Sequence, residues 1–211
     1  MITMQAVVEV PNFDLEPPQP WPVLSAEPYS FVPIHRGCSD AEVGLFVSAL
    51  TCGLEITGSR NEVVTALLAE DTLLQLGGLR LTDTVGGAVV VPGCCAGLED
   101  WRQWIDVLAG TPPWLGHGPT PEVEIGVDEL RVWQDSGANR QAAQSIVVAR
   151  NALPELLNGV HRDLVDFLSC VRRWSDRNGL GRRGTELIEA IDRNFDVTAP
   201  LIFPRVGRRD Y

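Results

Sequence analysis

The chain has 211 residues, 45% of them hydrophobic and 21% charged, which is enough to close a core without staples and excludes collagen-like and fully disordered classes. No apolar run approaches the about 18 residues of a membrane span, and Met1-Ile2-Thr3-Met4-Gln5 has neither the basic nor the apolar part of a secretory leader, so none is expected. The formal charge is −11, which makes the surface as a whole a poor match for duplex nucleic acid.

In chain order, Gln5–Val10 reads as a short strand. Seven of the 15 prolines then fall between Pro11 and Pro33, interleaved with Phe13, Trp21, Tyr29 and Phe31. Proline fixes φ and removes ladder donors, so residues 11–35 are expected to be extended. Leaving four aromatics in water is costly, so this arm should lie along the body with Trp21 buried. The division expected is an N-terminal arm over residues 1–35 and a single α+β domain over 36–211.

Within that domain, residues 45–51 and 54–57 read as strand-like around Gly53. Ser59-Arg60-Asn61-Glu62 is a capping box that opens a helix of about three turns carrying Val63, Val64, Leu67 and Leu68. Gly77-Gly78 reads as a stop. Residues 79–82 and 88–91 then form a hairpin across Gly86-Gly87. Leu98 to Ala109 reads as a helix closed by Gly110, and the proline-rich residues 111–121 as an ordered loop. Residues 123–125 and 130–133 form another hairpin, and 145–149 a strand. From Asn151, apolar residues at 3/4 spacing predict a long helix ended by Asn178-Gly179; a last helix is expected over 185–195. The fold class expected is α+β, a mainly antiparallel sheet of hairpins with helices packed on one face.

Charge is unevenly spread. Residues 1–149 hold 6 Arg and 19 acids, residues 150–211 hold 11 Arg and 9 acids, and the chain has no lysine. The missing lysine is the mark of a GC-rich coding sequence. It also excludes the lysine-bearing phosphate loop, and no G-x-G-x-x-G follows a strand. The acidic front would attract a basic partner protein.

The five cysteines are Cys38, Cys52, Cys94, Cys95 and Cys170. An odd count without a C-x-x-C spacing points to a reduced, cytoplasmic chain. The most distinctive segment runs from Val89 to Trp104: an apolar strand, the turn Pro92-Gly93-Cys94-Cys95-Ala96-Gly97, and an amphipathic helix with Trp101 and Trp104 on one face. Read as chemistry, Cys94 or Cys95 would be a nucleophile and His117 its base. Read as packing, the cysteines fill a tight turn, while Glu99 and Asp100 would oppose a thiolate. Zinc would need Cys94, Cys95, His117 and one more ligand, with no recognised spacing behind them, and no cofactor or metal is expected. Pro112-Pro113-Trp114-Leu115-Gly116-His117 reads as a surface loop that exposes Trp114.

The Pro92–Trp104 box, the Trp114-Leu115-Gly116-His117 loop and the strand Leu130-Arg131-Val132-Trp133 resemble a group of uncharacterised proteins from high-GC bacteria. In that group a P-G-C-C-x-G-L-E-D-W box precedes a W-L-G-H loop. The resemblance covers about residues 45–175 and gives no enzymatic assignment. The general layout is also similar to small α+β immunity proteins of the SUKH group, which bind toxins, but no residues carry over from it.

With no coherent catalytic set, the leading expectation is a non-catalytic protein-binding domain, in its finer form an immunity-type inhibitor. Its contact surface would be Trp114, His117, Glu122, Glu124, Asp128 and Glu129, facing another protein, a basic one in the finer form of this expectation, with no nucleic acid and no membrane. The alternative is a cysteine-dependent enzyme using Cys94 or Cys95 with His117.

Overall fold

Residues 4–10 alternate around β1 (Ile2–Glu9), whose Met4, Ala6 and Val8 enter the core while Gln5 and Glu9 lie half-buried on the other side. In the computed structural model, which describes all residues except 16, 55, 138–142 and 205–211, β1 is a central strand. It pairs antiparallel with β2 (Phe31–Pro33) on one side and β3 (Gly77–Asp83) on the other; β4 (Val89–Val90) completes the order β2-β1-β3-β4. Two of these four strands thus come from residues 1–35.

A second antiparallel sheet, β5 (Glu122–Ile125), β6 (Glu129–Trp133) and β7 (Ser145–Ala149), has the order β5-β6-β7. Val123, Val132 and Ile146 are in register on its buried face. The Gln134 side chain ties the two sheets together: it accepts from Val91 N–H at 2.7 Å and donates to Val91 O at 3.3 Å. The α+β class expected from the sequence is present, with both hairpins in place.

The helices are α1 (Asp40–Ala49), α2 (Arg60–Leu67), α3 (Leu153–Arg177) and α4 (Arg182–Phe195). One core joins residues of both sheets and all four. None of the described helices is long and apolar enough to cross a membrane.

Three local expectations are corrected. Residues 45–49 are helical, part of α1, not a strand; every residue from Val43 to Ala49 is buried, so the segment shows no polar stripe from which a helical period can be read. The second strand-like stretch is a turn followed by irregular backbone, with residue 55 outside the described residues. Gly77-Gly78 does not stop a segment but begins β3, where a Cβ on Gly77 would collide with the Val7 carbonyl of the neighbouring strand. The segment Leu98–Ala109 is a 3-10 helix, closed by Gly110 at φ +96°.

The proline-rich arm packs against the domain. Trp21 is 4% exposed, its indole N–H donates to Ser48 Oγ at 2.8 Å, and its ring stands edge-on to Trp174 at 5.0 Å.

Candidate functional site

The turn after β4 and the loop 111–121 are joined by a short backbone ladder. Gly93 N–H donates to Leu115 O at 2.8 Å, Cys94 N–H to His117 O at 2.7 Å, and His117 N–H to Cys94 O at 3.0 Å. Two glycines permit this approach. A Cβ on Gly93 would strike the Pro119 carbonyl oxygen, and one on Gly116, which has φ +89°, would strike the Cys94 carbonyl. The sequence brings glycine to both positions, and so Cys94 faces His117 across a distance of 23 residues.

Cys94, Cys95 and His117 are all exposed, and their Sγ and ring-nitrogen atoms lie within 4.8 Å of one another. The two sulfurs are 3.4 Å apart. The packing reading of these cysteines is therefore not what the fold does with them. The Cys94 thiol is held above its ordinary range, chiefly by its hydrogen bond with Cys95, with smaller contributions from burial, from the Cys95 charge and from Glu9.

Trp114 is 53% exposed. Its backbone N–H donates to Gln103 Oε1 at 2.9 Å, and its ring lies 6.4 Å from the His117 ring. Trp101 and Trp104 are buried core residues, with Trp101 Nε1 donating to Phe195 O at 2.9 Å.

The expected acidic contacts lie on the second sheet. Glu122, Glu124 and Glu129 share its outer face by register, and Asp128 sits in the turn between β5 and β6. Glu124 accepts from Trp133 Nε1 at 3.2 Å, and Arg131 stacks over the Trp133 ring at 5.6 Å. Trp114 and His117 precede β5 whereas Asp128 follows it.

A feature the sequence reading missed is a cavity of about 340 Å³ whose lining includes Glu9, Tyr29, Cys52, Leu74 and Leu76. Leu74 and Leu76 are 63% and 51% exposed, while Gln75 between them is buried. The alternation is inverted, apolar outward and polar inward, because Gln75 carries backbone contacts to the start of the 3-10 helix: Leu98 N–H donates to Gln75 O at 2.8 Å and Gln75 N–H to Glu99 Oε2 at 3.3 Å. Burial raises the Glu9 carboxyl above its usual value. Gly77 N–H donates to Ala96 O at 3.0 Å, which places this apolar rim beside the cysteine turn.

A second cluster, His35, Cys38 and Glu42, also has its donor atoms within 4.8 Å of one another. No family model, curated protein or solved structure matches this chain.

Proposed function

We propose that this chain is a non-catalytic protein-binding domain that docks a partner through Trp114 and His117, with the acids of the second sheet beside them. The observation that carries this reading is the exposure of Trp114 on a loop whose backbone is pinned at Gly93, Cys94 and Gln103. A large aromatic held out in water on a rigid support has the character of a binding hot spot. Leu74 and Leu76, next to the residues that pair with the end of the cysteine turn, add exposed apolar surface. Glu122, Glu124, Asp128 and Glu129 would favour a basic partner and speed its approach. A standard interface buries about 800 Å² per partner. In its finer form the domain is an immunity-type inhibitor that occupies a basic toxin.

The catalytic alternative has the three groups together, but the state of the Cys94 thiol does not favour it. A nucleophilic cysteine works through a lowered thiol pKa, and the Cys94 thiol is raised.

The test is affinity purification from the native host with the wild-type chain and Trp114→Ala side by side, followed by calorimetry on the recovered partner. The expected result is one partner whose affinity falls at least tenfold in Trp114→Ala, the loss typical of a hot-spot aromatic, at unchanged melting temperature. Equal affinity for both chains, or no partner at all, overturns the reading.

A further inference from the structure

Cys94 and Cys95 are the two central residues of a turn closed by Ala96 N–H donating to Gly93 O at 3.2 Å. Cys95 has φ +64°, the positive value that the second central position of a type II turn requires and that glycine supplies without strain. Cysteine there is conformationally costly, and core packing does not offset the cost, because both side chains are exposed. What the turn accomplishes is direction. Consecutive side chains of an extended chain point to opposite faces, yet here two sulfurs stand 3.4 Å apart on one side. The ladder to residues 115–117 then sets the His117 ring against them.

Ligand atoms sharing one zinc ion, with Zn–S of about 2.3 Å and Zn–N of about 2.0–2.1 Å, are about 3.5–4 Å from each other in a tetrahedral site. The spacing of at most 4.8 Å among the three donors is within a small side-chain adjustment of that. Thiolates select soft cations, and ligation would release the thiol protons to solvent.

We propose that Cys94, Cys95 and His117 bind one soft d10 cation, Zn²⁺ or Cu⁺, through two thiolates and an imidazole, with a further position open to solvent. Closed structural zinc sites use four protein ligands; three exposed ligands make an open site that can exchange its ion. His117 is shared with the docking reading, so the two are told apart by Trp114→Ala, which removes the docking aromatic and leaves all three ligands.

The test titrates the full reduced chain anaerobically with Zn²⁺ and, separately, with Cu⁺, each against a chromophoric chelator. One equivalent should bind below micromolar Kd in at least one arm, and that arm identifies the ion. Cys94→Ser, Cys95→Ser and His117→Gln should each weaken binding at least tenfold, while Cys38→Ser binds as wild type. On the wild-type chain, saturating ion should protect Cys94 and Cys95 from iodoacetamide, read by mass spectrometry, and leave the other three unchanged. No binding at micromolar ion in either arm, unprotected Cys94 and Cys95, or a loss confined to Cys38→Ser overturns the proposal.

Discussion

Two clusters in this molecule bring the same kinds of side chain to the same spacing, His35–Cys38–Glu42 and Cys94–Cys95–His117, and the fold treats them in opposite ways. In the first, each of the three residues already accepts a backbone hydrogen bond. His35 Nδ1 accepts from Gly37 N–H at 2.9 Å, Cys38 Sγ accepts from His35 N–H at 3.4 Å, and Glu42 Oε2 accepts from Ser39 N–H at 2.7 Å in the capping box of α1. A histidine that accepts at Nδ1 carries its proton on Nε2 and has no lone pair left over. The second cluster is exposed and caps no helix. Residue type and proximity are therefore not enough to make a ligand site. What distinguishes the two is whether the backbone has already claimed the lone pairs.

The largest effect expected on this contrast comes from the support beneath the first cluster. Trp21 fixes the arm to α1 and α3 through Ser48 and Trp174. Trp21→Ala should cost about 3–5 kcal/mol, as truncation of a buried aromatic does, and would leave the fully buried Ser48 hydroxyl without its indole partner. In the native state of this variant, Cys38 and Cys170 should label faster with a thiol reagent, while Cys94 and Cys95 label at the wild-type rate. A uniform acceleration at all five cysteines would show that the two regions do not open separately.

How much of this was legible in the sequence depends on what each signal encodes. The hairpins at 79–91 and 122–133 and the long α3 were readable because one face of each meets water and the period survives. α1 was not, because its apolar residues run all round. Its start was nonetheless written in Ser39-Asp40-Ala41-Glu42, the same box that was read at Ser59-Arg60-Asn61-Glu62. The cysteine turn was legible as a segment and its chemistry was not. Nothing local in Gly93-Cys94-Cys95-Ala96 says that Cys95 takes a positive φ, or that Gly116 lets a loop 23 residues away place His117 opposite Cys94. The inverted alternation of Leu74, Gln75 and Leu76 was invisible for the same reason: Glu99 and Leu98, the groups that hold Gln75 inward, are remote in sequence.

A second prediction sharpens the contrast through pH. The Cys38 thiol is pushed up to about 11, first by burial, with the His35 backbone bond opposing and Glu42 adding to the rise. Because the folded state holds this proton more tightly than the unfolded chain, the associated stability is complete below the unfolded thiol's pKa of about 8.5. It is lost as pH climbs toward about 11. The chain has no lysine, so no lysine adds to the slope in that window. The denaturant midpoint should fall between pH 9 and 11 in wild type and fall less in Cys38→Ala. Identical slopes in the two would remove Cys38 from the account.

The smallest effect concerns the cap itself. In Ser39→Ala, Glu42 N–H loses the hydroxyl that accepts from it at 3.3 Å, and the carboxylate loses the hydroxyl that donates to it at 2.7 Å. The cost should be about 1 kcal/mol, the usual value for an N-cap, seen as a small drop in unfolding midpoint. Glu42 is then freer to act as a ligand beside His35 and Cys38. Yet the His35 and Cys38 lone pairs are still held by the Gly37 and His35 amides, so the number of soft cations bound per chain should not rise. A second equivalent appearing in Ser39→Ala would mean that the serine hydroxyl alone kept the first cluster from ligating, and the distinction between the two clusters would shrink to one hydrogen-bonded cap.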